Sequence, residues 1–234
     1  MNLFKLIRED FATIKKNDPA LHSPFELFFN YPGLWALFFY RIAHWFYKRG
    51  LRFIPRLISA LGMFLTMIDI HPGATIGRRV FIDHGVGVVI GETAIIEDDV
   101  LIYQQVTLGG VSTSPGKRHP TVQSGVVVGA GAKVLGNIVI GKDSKIGANS
   151  VVIKDVPPCA TAVGIPARIV RCADEASQPL SHNQIPDVNR EIFQYLLKRI
   201  EVLEEALPPE KKERIKEMDH ELDELYDNFI HSMD

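Results

Sequence analysis

The sequence predicts an α+β chain in which a helical segment precedes a parallel β-helix and heptad-like helices follow it. Three observations carry this prediction. Aliphatic residues recur every six positions through the middle of the chain, prolines divide the N-terminal part into helix-sized pieces, and apolar residues step by three and four near the C-terminus. We therefore divide the chain into residues 1–67, 68–171, 172–189 and 190–234.

The N-terminal region is expected to form several helices because prolines follow Asp18, Ser23 and Tyr31, and helix is disfavoured at a residue before proline. Residues 34–50 are apolar on most sides, which predicts packing against a neighbour. The longest uncharged apolar run, LISALGMFLTMI at 57–68, would rise about 18 Å as a helix, short of the roughly 30 Å of a bilayer core. It predicts a buried helix and not a membrane span.

A period of six marks residues 68–171. It matches neither a helix nor a hairpin and is typical of a parallel β-helix, in which each hexad makes a short strand and a corner. Three hexads close one coil, so residues eighteen apart should stack, for example Ile70 on Val88 on Val106. The aliphatic positions found by this step are Ile70, Ile76, Ile82, Val88, Ala94, Val100, Val106, Val122, Val128, Val134, Ile140, Ile146 and Val152.

The repeat is interrupted in two ways. Glu92, Asp98 and Gln104 stand where the count expects a small inward residue, and a loop containing VSTSPGKRHPT separates Val106 from Val122. Its Ser, Pro, Gly and Lys predict an exposed loop. Polar interruptions of a repeat, and loops that leave a rigid stack, are common places for a functional site.

The C-terminal tail follows a polar linker, and its apolar residues form two heptad-like runs around Pro208-Pro209. This spacing predicts a helical hairpin or two coiled-coil segments. Each run is too short to be a stable isolated helix, so we expect association with the body or with other chains. The runs are Phe193, Leu196, Ile200, Leu203, Leu207 and then Ile215, Met218, Leu222, Leu225, Phe229.

The composition excludes several classes of protein. With 46% hydrophobic and 23% charged residues and a net charge of -2, the chain is expected to be soluble, without nucleic acid or membrane as a partner. Two cysteines, Cys159 and Cys172, predict neither a disulfide framework nor a zinc site. The start of the chain lacks the apolar block of a signal peptide. We expect a cytoplasmic protein.

An Asp-His pair in FIDHGVGVVIGETA, residues 81–94, is the best candidate for chemistry. Transfer of an acyl group to a hydroxyl needs a base, and a histidine oriented by a carboxylate suits that role. His84 is the candidate base. Asp69 could lie near it on the layer below, whereas Asp83 would point away on a regular strand unless a corner falls there.

These residues resemble the serine O-acetyltransferases of cysteine biosynthesis. The resemblance covers residues from about 15 to 171 and lies in DIHPGATIGRRVFIDHGVGVVIGETA, VTLGG followed by GKRHPTV, VVGAGAKVLGNIVIG, KIGANSVV and VPPCATAVGIPARIV. It implies that the β-helix is left-handed and that the chain transfers acetyl from acetyl-CoA to the hydroxyl of L-serine, giving O-acetylserine and CoA.

The resemblance also implies a role for each matching residue. His84 would be the general base, supported by Asp69, and the backbone N–H of Gly110 would stabilise the oxyanion. The segment around Ala130 would line the coenzyme A channel. No metal and no resident cofactor is implied. The serine itself would be held by five side chains, namely Asp18 and Asp83 on its ammonium, Arg118 and His119 on its carboxylate, and Glu92 in the same cleft.

At the level of assembly, the resemblance implies trimers whose sites are shared between neighbouring coils, with the Arg118-His119 loop reaching across and L-cysteine as an inhibitor at the serine site. The short helical region leaves trimer or hexamer open. Because the chain ends NFIHSMD, we do not expect O-acetylserine sulfhydrylase to dock through a C-terminal Ile.

Three alternatives remain to be separated. A hexapeptide acetyltransferase for a sugar or another hydroxyl would keep a catalytic histidine but has no need for an amino-acid clamp. A γ-type carbonic anhydrase needs two zinc histidines five residues apart, and no two histidines here have that spacing. A coiled-coil scaffold without catalysis explains none of the polar interruptions of the repeat.

Overall fold

A computed structural model describes residues 3–17, 21–23, 25–172 and 188–208. The chain divides into two compact units, Met1–Ile185 and Pro186–Asp234. The predicted N-terminal helices are present: α1 ends immediately before Asp18, and Pro32 opens α3, where its missing N–H is no loss. The helices of the first unit are α1 Leu3–Asn17, α2 Glu26–Phe29, α3 Pro32–Tyr47 and α4 Phe53–Thr66.

Thirteen short strands then wind into a coil with three flat faces, and a hairpin of two longer strands ends it. The first sheet contains β1, β4, β7, β10 and β13, the second β2, β5, β8 and β11, and the third β3, β6, β9, β12, β14 and β15. The strands are β1 Asp69–Ile70, β2 Thr75–Ile76, β3 Phe81–Ile82, β4 Val89–Ile90, β5 Ile95–Ile96, β6 Leu101–Ile102, β7 Thr107–Gly109, β8 Thr121–Val122, β9 Val127–Val128, β10 Lys133–Leu135, β11 Val139–Ile140, β12 Lys145–Ile146, β13 Val151–Val152, β14 Ala160–Gly164 and β15 Ala167–Cys172.

The core is the interior of this coil. All pairs of strands between successive coils are parallel, and one aliphatic side chain of each strand points inward and is almost completely buried. Each buried aliphatic contributes about 1.5–3 kcal/mol relative to an exposed one. The stacked ladder therefore makes the coil a rigid support for the residues at its corners.

The predicted step of eighteen residues is wrong between the first coil and the second. Ile70 pairs with Ile90, not with Val88, and Ile90 then pairs with Leu108. Two additional residues lie in the turn between β3 and β4, where the chain passes through Asp83 and His84. The count by six did not detect them because alternate positions on both sides of this turn are aliphatic.

The same two-residue shift also changes where the polar interruptions of the repeat lie relative to the core. Glu92, Asp98 and Gln104 do not occupy inward positions as predicted. The inward small positions belong to Ala94, Val100 and Val106, all at most 1% exposed, and Val86, which the count placed inward, is 52% exposed. Glu92, Asp98 and Gln104 lie at the corners of the coil. Glu92 and Asp98 accept hydrogen bonds there, whereas Gln104 Oε1 is buried without a partner among the described residues.

Helix α3 packs as predicted, whereas the prediction that residues 57–68 form a buried helix is wrong for the described chain. The buried residues of α4 are the small Pro55, Ser59, Gly62 and Thr66. A Cβ on Gly62 would lie 2.9 Å from Phe39 Cβ, so the small side faces α3. The large apolar side chains of α4 point outward, among them Phe53, Leu57, Leu61, Phe64 and Leu65.

Helix α1 is fixed to the coil by a buried ion pair. Arg41 of α3 donates to both carboxylate oxygens of Asp10 at 3.1 and 3.2 Å, and to the carbonyls of Ile76 and Gly77 at 2.6 Å each. Both charged side chains are at most 4% exposed. One guanidinium thus joins α1, α3 and the first coil.

In the second unit, α5 spans Val188–Glu205. Its heptad positions Phe193, Leu196, Ile200 and Leu203 are exposed. The second predicted run, 215–229, and most of the predicted linker lie outside the described residues. Among the helices that are described, none is long and apolar enough to cross a membrane.

Candidate active site

The first sheet has two rims that carry the polar residues of interest. We call the turns that lead into its strands the leading corner, residues 83–88, 103–106 and 129–132. We call the turns that leave its strands the trailing corner, residues 71–74, 91–94 and 110–120. A coil face is about six residues wide at about 3.3 Å per residue, so the two corners lie on the order of 15–20 Å apart.

The leading corner carries His84 on an unusual backbone. The φ of His84 is +57° and that of the following Gly85 is +76°, in the left-handed region that costs a non-glycine residue about 1–2 kcal/mol. The turn is closed by Gly87 N–H, which donates to Met67 C=O at 2.8 Å. Since Met67 leads directly into β1, this bond places the exposed His84 beside the start of β1, of which Asp69 is the first residue. A corner does fall at Asp83, as the sequence left open.

Ala130 lies on the same corner, further up the coil. Gln105 N–H donates to Val86 C=O, and Gly131 N–H donates to Gln104 C=O, both at 2.9 Å. These bonds stack the turn of Ala130 above the turn of His84. The predicted base and the predicted coenzyme A channel therefore share one edge of the coil.

The trailing corner collects a second set of residues. Arg118 Nη2 donates to Glu92 Oε2 at 2.6 Å, and the hydroxyl of Tyr47, the last residue of α3, donates to Glu92 Oε1 at 3.3 Å. The hydrogen bond from Arg118 holds the pKa of Glu92 below its ordinary value. The guanidinium is thereby fixed at the surface with donors still available to a ligand.

Thr93 determines the tautomer of His119. Thr93 Oγ1 accepts the backbone N–H groups of Arg118 and His119 at 3.0 and 3.1 Å, so its own proton is directed to His119 Nδ1 at 2.8 Å. Thr93 N–H also donates to Nδ1, at 3.2 Å. With Nδ1 accepting, the neutral ring carries its proton on Nε2. Burial, the largest cause, lowers the pKa of His119 and favours this neutral form.

Two glycines make room for that ring. A Cβ on Gly91 would lie 2.0 Å from both Cδ2 and Nε2 of His119, and a Cβ on Gly110 would lie 3.2 Å from Nε2 and from Arg118 Cγ. A side chain at Gly91 would overlap the imidazole. The loop can therefore lie against the coil only because these corners are bare backbone, and Gly110 is in contact with both side chains.

Three residues of this corner were not predicted from the sequence. They are Tyr47, Thr93 and His71. His71 stands two positions after Asp69, in the Asp-x-His of IDIHPGA, which was the available signal. Tyr47 could not be found from the sequence because its role depends on where α3 packs.

The predicted site residues thus form two groups. Asp83, His84 and Ala130 belong to the leading corner, with Asp69 at the start of the neighbouring strand β1. Glu92, Gly110, Arg118 and His119 belong to the trailing corner. Asp18 lies outside the described residues. Within those residues, no group of three or more His, Cys, Asp or Glu side chains is arranged to hold a metal ion.

Comparison with known proteins agrees with this geometry. Residues 119–154 match the family model described as bacterial transferase hexapeptide (six repeats). A serine acetyltransferase of Synechococcus elongatus is 53% identical over 205 residues, covering 88% of this chain and 84% of that protein. The serine acetyltransferase of Bacillus subtilis is 48% identical over 215 residues, covering 92% and 99% respectively. The chain belongs to the serine acetyltransferase family.

Solved serine acetyltransferases share the fold. A cysteine complex superposes with a TM-score of 0.74 at 41% identity, covering 79% of this chain and 72% of that one. A CoA complex superposes with a TM-score of 0.68 at 43% identity, covering 72% of this chain and 70% of that one. The soybean enzyme complexed with serine superposes with a TM-score of 0.69 at 43% identity, covering 72% of this chain and 69% of that one. The predicted left-handed parallel β-helix and the predicted activity, serine O-acetyltransferase, are confirmed.

Proposed function

We propose that this serine acetyltransferase transfers acetyl directly from acetyl-CoA to L-serine, with His84 as the general base. The serine hydroxyl gives its proton to the imidazole as its oxygen attacks the thioester carbonyl. The C–S bond then breaks, and the imidazolium returns the proton to the CoA thiolate. Asp69 orients the ring, the role of the carboxylate in a hydrolase triad. The exposure of His84 and its place beside the start of β1, where Asp69 lies, support this assignment.

The trailing corner would hold the amino acid. In this proposal Arg118 and the Nε2–H of His119 bind the serine carboxylate, and Glu92 orients Arg118 rather than contacting substrate. Gly110 N–H stabilises the oxyanion, for which a backbone donor close to the clamp is suitable. Asp83 and Asp18 take the ammonium group, and Ala130 lines the coenzyme A channel. The observation that carries the proposal is the clamp of Arg118, Glu92 and His119, in which an oriented guanidinium and an imidazole N–H lie together, an arrangement that an acceptor without a carboxylate would not need.

The separation of the two corners supports a site shared between copies. Base and clamp lie at opposite ends of the strands of one sheet, so a leading corner of one copy must meet a trailing corner of the next. Cyclic trimers arrange copies in that head-to-tail manner. We propose a homo-trimer, which a hexamer would also contain.

The solved complexes of relatives with serine, CoA and cysteine support the same ligands here, with cysteine as a competitor of serine. No resident cofactor enters the mechanism. An exposed free thiol at Cys159 fits the reducing cytoplasm that we propose as the location.

The test supplies acetyl-CoA with L-serine, homoserine and a panel of sugars and follows release of free thiol. We expect efficient turnover of serine alone. His84→Ala should lower kcat by about 10²–10⁴, the usual share of a general base, while Arg118→Ala should mainly raise KM for serine. Turnover of a sugar in preference to serine, or an unchanged kcat in His84→Ala, would refute the proposal.

A further inference from the structure

His71 lies in the trailing corner beside the clamp. Ile70 points into the core, so Asp69 and His71, on either side of it, both face outward. A Cβ on Gly73 would lie 3.1 Å from each of His71 Nδ1, Glu92 Cγ and Tyr47 Oη. The imidazole, the carboxylate that orients Arg118 and the end of α3 therefore surround a single point.

The ring of His71 is held in one tautomer. Gly73 N–H donates to its Nδ1 at 2.9 Å, so the proton of the neutral ring is on Nε2. The rings of Tyr47 and His71 pack edge to face, with centroids 6.0 Å apart at 81°, and Arg52 lies over the Tyr47 ring, 4.1 Å from its centroid. The imidazole is thus fixed in orientation by the backbone of Gly73 and by Tyr47, whose hydroxyl also donates to Glu92 of the clamp.

The Nε2–H of His71 has no acceptor among the described residues. A half-buried, oriented donor without a protein partner is available to a ligand. The His71 ring lies next to Glu92, which in turn holds Arg118, and two imidazole N–H groups and one guanidinium are a donor set suited to a carboxylate.

We propose that His71 is a further substrate-binding residue, whose Nε2–H donates to the carboxylate of the amino-acid acceptor alongside Arg118 and His119. This inference rests on the proposed function, because it assumes that the trailing corner holds that carboxylate. It assigns Tyr47 and Gly73 a positioning role, since they fix the ring without touching substrate.

The experiment compares His71→Asn with the wild type on two acceptors, L-serine and L-serinamide, which lacks the carboxylate. Asn retains an acceptor for Gly73 N–H but has a shorter reach. A hydrogen bond to a charged group contributes about 1.5–3 kcal/mol, so kcat/KM for serine should fall by about 10- to 100-fold, with KM for acetyl-CoA unchanged. For serinamide the fall should be at most about threefold.

The matched control is His44→Asn. His44 is also half-buried, and its Nδ1 lies 2.8 Å from the carbonyl of Pro72, next to His71, but it is outside the clamp; both acceptors should be affected equally and little. Equal losses on serine and serinamide in His71→Asn would show a purely structural role and overturn the inference. So would unchanged kinetics on serine.

A second variant guards against misfolding. His71→Gln carries an amide N–H close to the position of Nε2, and on serine it should retain part of the activity that His71→Asn loses. If the wild type itself does not acetylate serine, the proposed function fails. If the wild type does so and the loss in His71→Asn is no greater for serine than for serinamide, only the role of His71 fails.

Discussion

His84 and Arg118 lie at opposite ends of the strands of the first sheet. His84 stands in the turn that leads into β4, and Arg118 is held by Glu92 in the turn that leaves the same strand. Because the coil is rigid, one chain cannot bring the two side chains onto one small amino acid. Under the proposed function, His84 of one copy and Arg118 of the next would therefore meet at a seam between copies.

Glu92→Gln should weaken serine binding without affecting the chemical step. The charged hydrogen bond at 2.6 Å becomes a neutral one, and the guanidinium loses part of its orientation. For a partly exposed pair this amounts to about 1 kcal/mol, so KM for serine should rise about fivefold with kcat retained. Glu97→Gln is the control, since Glu97 lies at another corner and, among the described residues, accepts hydrogen bonds only from Ser124. A loss in kcat instead would mean that Glu92 acts in the reaction itself.

Thr93→Val tests the support of His119. The replacement is nearly isosteric, but it leaves the N–H groups of Arg118 and His119 without the acceptor at 3.0–3.1 Å. An unpaired, partly buried donor costs about 1–3 kcal/mol, so we expect a rise in KM for serine of about tenfold or more. Thr75→Val, at an exposed position of β2, is the control. Unchanged kinetics would show that the loop keeps its position without Thr93.

Arg41→Ala tests the buried ion pair that fixes α1. It leaves Asp10 buried without a partner, and breaking such a pair costs about 3–5 kcal/mol in the free energy of unfolding. Lys142→Ala is the control. Lys142 is 67% exposed and pairs with Asp143 at 3.8 Å, so its loss should cost less than about 1 kcal/mol. Similar losses from both variants in chemical denaturation would contradict the account.

The deficit of Arg41→Ala in the free energy of unfolding, relative to the wild type, should also depend on pH. Burial raises the pKa of Asp10, although Arg41 opposes the shift, so removing Arg41 raises the pKa further. A carboxyl whose pKa is higher in the folded than in the unfolded state stabilises the fold as it takes up its proton. The deficit should therefore be largest at neutral pH and shrink as pH falls through the folded pKa of Asp10. A deficit constant with pH would mean that Asp10 stays in one protonation state.

The sequence predicted the coil because its core obeys one strong rule, an aliphatic residue at each inward position. It could not place the register, since Val88 and Ile90 are equally aliphatic and the two additional residues in the preceding turn, through Asp83 and His84, leave the count by six intact. The apolar character of α4 suggested burial, but only its small residues meet α3, as the close approach of Gly62 to Phe39 requires.

The candidate site was likewise only partly predictable from the sequence. His84, Arg118 and His119 stand in motifs that sequence alone reveals. Tyr47 contributes through the packing of α3 on the coil, and no local pattern records that contact. The separation of His84 from Arg118 and His119 also follows only from the observed strand order. His84 lies in the turn just before β4, whereas the loop of Arg118 and His119 lies against the turn just after it.

The most direct test of the shared site is complementation between two inactive variants. His84→Ala and Arg118→Ala chains are unfolded together, refolded at equal amounts and assayed with acetyl-CoA and L-serine at a serine concentration where each variant alone is inactive. In a head-to-tail trimer of random composition, about one quarter of the seams combine an intact His84 from one copy with an intact Arg118 from the next. The account predicts recovery of about one quarter of the wild-type activity, and no recovery above the separate variants would contradict it.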